Sequence, residues 1–326
     1  MCVSSCRASR PRSLTATSVV THDPLAAGDL IAERRFTYAK AAAEEGDFGA
    51  AAELFEQALE IAPHWAAAWF TLGEAREKLG DFDAAARAFR EALVADPADA
   101  QGAMARLALI GQGDVPRTLP LAYVARLFDD YAPRFDKHLT DNLGYRAPAL
   151  IAEALSAVAS GRRFASALDL GCGTGLMGTE LRSHTDRLAG VDLSAAMIAK
   201  ARERGFYDRL VVGDAAATLG REPPGISDLI VAADALVYVG DLAPLFAAVA
   251  RVLASDGLFA FSVETCEGDG FKLEPTMRFA HSRSHVEATA REVGLQPLLI
   301  RSASTRREAG ADAPGLICVF EGKGGL

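Results

Sequence analysis

Leu168-Asp169-Leu170-Gly171-Cys172-Gly173-Thr174-Gly175 is the stretch whose reading decides the fold. An apolar run, Ala165 to Leu170, carries an acid near its end and then gives way to alternating glycines. Glycines at a strand-to-helix turn let a nucleotide-like ligand reach the backbone, because a Cβ there would fill the space the ligand needs. The next apolar run, Leu188 to Val191, closes on Asp192, 21 residues after Gly171. A carboxylate at a strand tip with that spacing suits the hydroxyls of a ribose. The dinucleotide fingerprint asks for a further glycine where Leu176 stands, which counts against a nicotinamide or flavin dinucleotide. Further out, Leu210 to Val212, Leu229 to Ala232, Leu258 to Val263, Leu298 to Ile300 and Leu316 to Phe320 are short apolar runs, most of them separated by helical stretches. Together these runs predict a doubly wound α/β sheet of seven strands.

Upstream the pattern is helical and repeats. Gly46-Asp47-Phe48 returns as Gly80-Asp81-Phe82, a shift of 34 residues, and the register continues from Ala51 and Phe55 (Ala85 and Phe89) to Pro63 (Pro97). In the second copy Trp69, Leu72, Gly73, Gly80, Ala85, Phe89, Ala92 and Pro97 stand where a tetratricopeptide repeat has its bulky, small and terminating residues, and the region resembles that family. The first copy has Arg35 and Ala39 at the Trp and Gly positions. Helices are expected near 29–45, 48–61, 65–78 and 82–95, with a closing helix from Ala100 to Ile110. Two hairpins are too few to bury a continuous core, so they are expected to lean on the neighbouring domain. The break Gly111-Gln112-Gly113-Asp114-Val115-Pro116 divides the chain into a disordered tail (1–28), an all-α tetratricopeptide-repeat domain (29–111) and a second domain (112–326). Between Asp29 and Gly111 stand 15 acids and 8 bases, an acidic face for solvent or for a basic or extended partner.

The Asp-x-Gly-x-Gly-x-Gly form of the loop, and residues 165–265 throughout, resemble class I S-adenosylmethionine-dependent methyltransferases. The resemblance implies a Rossmann-like sheet and S-adenosylmethionine as cofactor. Carried over residue by residue, it implies that Asp169 and the loop of Gly171, Cys172, Gly173 and Gly175 hold the methionine moiety, and Asp192 the ribose. In Leu193-Ser194-Ala195-Ala196-Met197 it places Met197 on the adenine, and in Gly213-Asp214-Ala215 it makes Asp214 an acceptor from the adenine amino group. Leu193 and Ala215 join the same cofactor-binding set. Met197 as helix core and Asp214 as an N-cap are the structural alternatives. Leu127 to Asp136 resembles the lid of small-molecule members, with Tyr131 either closing over the cofactor or packed in the core. Tyr145 and Arg146 either face the cleft or simply lead into the next helix.

Displacement at a sulfonium methyl needs no acid for the leaving group, so positioning does most of the work and a base is needed only for a protonated acceptor. His281, whose ordinary pKa suits a base at neutral pH, and Tyr238, which follows the fourth strand, are the catalytic candidates, each with a structural alternative. Ala232 to Tyr238 lacks the Asn/Asp-Pro-Pro-Tyr/Phe motif of enzymes that methylate planar amide or base nitrogens, which lowers nucleobase and glutamine substrates. Arg306-Arg307-Glu308 reads as a charged hairpin, open to water or to an acidic acceptor.

The chain has 326 residues, a net charge of −9 and 50% hydrophobic residues, which gives an acidic globular protein of about two domains. That balance argues against nucleic acid, and no apolar run is long enough to span a membrane. The five cysteines lack zinc-site spacing and read as reduced cytoplasmic thiols. Residues 1–22 carry Arg7, Arg10 and Arg12 with no acid, a faint likeness to a transit peptide. The acceptor expected is a hydroxyl or carboxylate of a small molecule, free or on a carrier protein that the repeats grip. The alternatives are a protein methyltransferase whose repeats choose the target, and a non-catalytic repeat module.

Overall fold

The computed structural model describes residues 26–141, 144–308 and 311–322, without the side chains of 139–141 and 308. Residues 1–25 of the expected tail, together with Asn142 and Leu143, lie outside the described residues.

Helices α1 (Leu30–Glu44), α2 (Phe48–Ile61), α3 (Ala66–Lys78) and α4 (Phe82–Ala95) form two antiparallel hairpins. The repeated Gly-Asp-Phe is their turn. Gly46 and Gly80 take φ of +85° and +77°, which favour glycine, while Asp47 and Asp81 cap α2 and α4 by accepting from the N–H of Ala50 and Ala84 at 3.0 Å. Gly73 is a close approach, because a Cβ there would lie 2.5 Å from the Phe89 ring. Phe36, Phe55 and Trp65 fill the groove between the first hairpin and α3.

The short α5 (Ala103–Leu109) carries the array onto the next domain: its Ala105 shares a core with Leu119, Val124, Tyr238, Leu273 and Phe279. This is the support that two repeats need. The connecting strap also bonds to the domain, since Leu119 N–H donates to Tyr238 O and the N–H groups of Gly240 and Asp241 donate to Arg117 O.

After the strap come α6 (Leu121–Tyr131), α7 (Phe135–Asp141) and α8 (Ala147–Val158). Next in the chain are β1 (Phe164–Leu170), α9 (Leu176–Leu181), β2 (Thr185–Asp192), α10 (Ala195–Arg204), β3 (Arg209–Val212), α11 (Ala215–Arg221) and β4 (Ser227–Ala232). The remaining elements are α12 (Ala243–Val252), β5 (Leu253–Thr265), β6 (Phe271–Glu274), β7 (Arg278–His281), α13 (Arg283–Glu292), β8 (Leu295–Ser302), the pair β9 (Arg307–Glu308) and β10 (Ala311–Asp312), and β11 (Gly315–Gly322). The main sheet runs β3-β2-β1-β4-β5-β11-β8, with the β6–β7 hairpin joined to β5. Its first five strands are parallel, while β11 is antiparallel to both neighbours.

The strands are apolar throughout because both faces are covered. Ile230 and Ala232 join Phe259, Phe261 and helices α12 and α13 on one face, while Leu229 and Val231 join Leu258, Ala260 and helices α8 and α9 on the other. All seven expected runs lie on strands of this sheet. The β6–β7 hairpin was not expected, since two four-residue strands carrying Lys272, Glu274 and Arg278 show no apolar run. No helix among the described residues is long and apolar enough to cross a membrane.

Gly73→Ala is expected to lower stability by about 1–3 kcal/mol in urea denaturation, because the new methyl must displace the buried Phe89 ring.

Candidate active site

β1 and β4 pair directly, Leu168 with Ile230 and Asp169 with Val231, yet the chain leaves β1 toward β2 and leaves β4 toward β5. Loops that part in this way open a crevice beyond the carboxyl ends of the strands. A cavity of about 480 Å³ fills it, walled by Leu170, Gly171 and Gly173 on one side and Ala233, Asp234 and Ala235 on the other. Gly171 (φ +70°) sits at the base, where a Cβ would lie 2.5 Å from that of Ala235. Over Gly173 (φ +52°) nothing comes nearer than Phe135 at 3.9 Å, so its backbone is open to a ligand. Cys172 and Gly175 do not line the cavity: the sulfur packs toward Gly190, and Gly175 lies against Tyr207. Burial pushes the Cys172 thiol up, so it stays protonated.

Acids stand at the ends of β1, β2 and β3. Asp169, the last residue but one of β1, is 0% exposed. Its Oδ2 accepts from the Tyr207 hydroxyl at 2.6 Å, and its Oδ1 has no partner. Burial raises its pKa to about 7, opposed by the Tyr207 hydrogen bond and reinforced by Asp192. Asp192 lines the cavity and accepts from the N–H groups of Gly173 and Ser194, each at 2.9 Å. Burial raises its pKa too. Asp214 caps α11 through Ala217 N–H at 2.7 Å, as the N-cap alternative has it, and it also lines the cavity. Leu193 and Ala215 also line the cavity. Met197 does not. It is fully buried on α10, as the helix-core alternative has it.

The α6–α7 segment roofs this end. Asp129 accepts from Ser194 Oγ at 2.5 Å and Ala196 N–H at 3.1 Å. Asp136 accepts from Thr174 Oγ1 at 2.5 Å and pairs with Arg204 at 2.7 Å. These bonds hold Phe128, Tyr131 and Phe135 edge-to-face at the cavity wall, and the Tyr131 hydroxyl bonds His138 Nδ1.

Arg278 from β7 and Arg306 also line the cavity. Arg306 is not a solvated turn: it is 3% exposed, 2.9 Å from Asp234 Oδ2, and bonded to Glu264. Thr305 Oγ1 donates to the other Asp234 oxygen at 3.1 Å. Sequence reasoning had Arg306 in a hairpin open to water or to an acidic acceptor and missed its pairing, because its partner Asp234 lies 72 residues away and no local pattern links them. Tyr145 lines this cavity, and burial beside Asp234 and Asp169 holds its hydroxyl well above the usual range. Tyr238 lines it too, bonded to Arg278 and edge-on to Phe128.

His281 is corrected as a base. It is 0% exposed and outside the cavity lining, and its Nε2 faces the carbonyls of Val239 (2.9 Å) and Gly240 (3.1 Å), to which it must donate. Burial lowers its pKa to about 4, so the ring is neutral and holds the β4 return loop. Among the described residues no acid, His or Cys cluster could hold a metal.

Residues 168–261 match the family model for a methyltransferase domain, and residues 42–109 the model for a tetratricopeptide repeat. The chain is 30% identical over 137 residues to the malonyl-[acyl-carrier protein] O-methyltransferase of Salmonella typhimurium, covering 42% of this chain and 53% of that one. It is 39% identical over 105 residues to methyltransferase-like protein 27 of Homo sapiens, covering 32% and 41%. It thus spans about half the length of these curated relatives, or less. Of solved structures, the 1,6-didemethyltoxoflavin-N1-methyltransferase of Burkholderia thailandensis, which holds 1,6-didemethyltoxoflavin and S-adenosylhomocysteine, aligns at TM-score 0.50 and 20% identity over 64% of this chain and 93% of its own. The [4+2]-cyclase SpnF aligns at TM-score 0.51 and 17% identity over 62% and 96%. The fold is that of class I methyltransferases, preceded by tetratricopeptide repeats.

Asp169 ionises near 3.8 when unfolded and near 7 when folded, so between those values the native state holds the extra proton and stability falls as pH rises. Asp169→Asn is expected to flatten this fall and to make the ligand-free protein more stable than wild type at pH 8, measured by urea denaturation at pH 5.5 and 8.

Proposed function

We propose that this chain is an S-adenosylmethionine-dependent methyltransferase of the cytoplasm that methylates a carboxylate on a small molecule, free or attached to a carrier protein. The observation that carries this reading is a cavity lined both by carboxylates, Asp192 and Asp214, and by guanidinium groups, Arg278 and Arg306.

The acids fit the cofactor. Its ammonium, ribose hydroxyls and adenine amine are all donors, and Asp169, Asp192 and Asp214 are acceptors whose set includes a buried oxygen without a partner. Acids around the loop do not suit a pyrophosphate. When bound, S-adenosylmethionine supplies an electrophilic methyl group whose sulfur leaves as a neutral thioether.

The chain's own part is alignment and exclusion of water. The roof of Phe128, Tyr131 and Phe135 covers the reacting end and strengthens the charge interactions beneath it. Arg278, which lines the cavity 3.7 Å from Glu264, orients an acceptor carboxylate. A carboxylate is already ionised at neutral pH and needs no base, whereas a hydroxyl does. His281 faces backbone carbonyls and Asp234 is engaged by Thr305 and Arg306, which supports the carboxylate over the hydroxyl. The name of the Salmonella relative, a malonyl-[acyl-carrier protein] O-methyltransferase, points the same way. The repeats hold a protein partner, and their acidic surplus favours a basic or extended segment.

In isothermal titration, wild type is expected to bind S-adenosylmethionine but not NAD, and Asp192→Ala to lose that binding. Wild type that binds neither would sink the reading. With a malonyl thioester as acceptor, Arg278→Gln is expected to lower kcat/KM tenfold or more while leaving S-adenosylmethionine affinity unchanged.

A further inference from the structure

Tyr207, in the turn between α10 and β3, belongs to no motif, yet much of the neighbouring backbone is shaped around it. Its ring lies in a slot of three glycines: Cβ atoms built on Gly175, Gly178 and Gly190 would stand 3.0, 2.8 and 2.9 Å from its edge. Gly178 is inside α9 and Gly190 inside β2, where glycine otherwise costs stability, so the ring is a reason for both. Gly190 is also the register partner of Asp169 on β1, and the bare backbone there lets the ring pass to the carboxyl. The hydroxyl ends 2.6 Å from Asp169 Oδ2, while Oδ1 is buried without a partner. Burial and the nearby Asp169 charge hold the Tyr207 hydroxyl far above its usual range, so it is a permanent donor.

We propose that Tyr207 is a positioning residue for the amino-acid end of the cofactor: its hydroxyl fixes Asp169 through Oδ2 and leaves Oδ1 to a ligand ammonium at the glycine loop. This rests on the cofactor reading above. Besides Tyr207, the groups that face Asp169 are Asp192 on β2, Cys172 in the loop and Tyr145 ahead of α8. Burial keeps Cys172 and Tyr145 protonated and raises Asp192, and Asp169 is the group of this set raised to about 7. A single charge-assisted hydrogen bond thus stands between the Asp169 carboxylate and protonation, and its loss moves the titration up by about one pH unit.

The test is titration of the full chain with S-adenosylmethionine from pH 6.5 to 9, wild type against Tyr207→Phe, which keeps the ring in its slot. The ratio of variant to wild-type Kd, in which the ligand's own titration cancels, is expected to fall from nearly tenfold (~8) at pH 6.5 toward one at pH 9. Gly178→Ala, whose methyl enters the slot and displaces the ring, is expected to give the same slope. A ratio that is raised equally at every pH would mean that Tyr207 only supports the fold, and would overturn the proposal. A ratio of one throughout would overturn it too. Wild type that binds at no pH would instead overturn the cofactor reading, and this inference with it.

Discussion

Two buried parallel strands, β1 and β4, lie side by side while their chains leave in opposite directions, and the rest of the molecule is arranged around that divergence. Both strands have an apolar layer on either face, so their carboxyl ends are where polar groups can gather without disturbing the core. At the base of the crevice Gly171 and Ala235 meet so closely that a methyl group on the glycine would collide. Above them the loops part, and the return turn places Asp234 at φ +58°, a left-handed conformation that Asp tolerates better than most residues.

The charges of the site work against stability. A carboxyl as deep as Asp169, with one donor for two oxygens, disfavours its own ionised form, and the fold tolerates it because the sheet around it is large and apolar. Arg306 is buried too, with Asp234 and Glu264 dividing its guanidinium. The cavity therefore carries charges of both signs on its wall.

The repeat array is not a free appendage. Gly102, at the start of α5, is left-handed, and a side chain there would meet Met277 of the β6–β7 turn and Tyr123 of α6. The elements that carry Arg278 and the roof of the cavity therefore rest on the last helix of the array. A contact of this kind comes from packing between segments far apart in the chain, and no local periodicity announces it.

Where periodicity or turn chemistry is local, the amino-acid sequence determined the outcome. The Gly-Asp-Phe turns reappear as left-handed glycines and capping aspartates, the apolar runs as strands, and the Asp-x-Gly-x-Gly-x-Gly loop as a strand-to-helix turn with Gly171 and Gly173 at the cavity. Each of these depends on neighbours within a few residues, whose φ preferences and side-chain spacing act before any tertiary contact forms. What side chains meet across the fold was decided only by the tertiary structure. It turned His281 to backbone carbonyls and Met197 into α10's buried face, drew Arg306 out of a surface hairpin onto Asp234, and laid Tyr207 in a slot of glycines from α9, its N-cap and β2. The physical reason is that burial and pairing depend on distance in space, and residues 42 or 72 positions apart carry no trace of it in their local spacing.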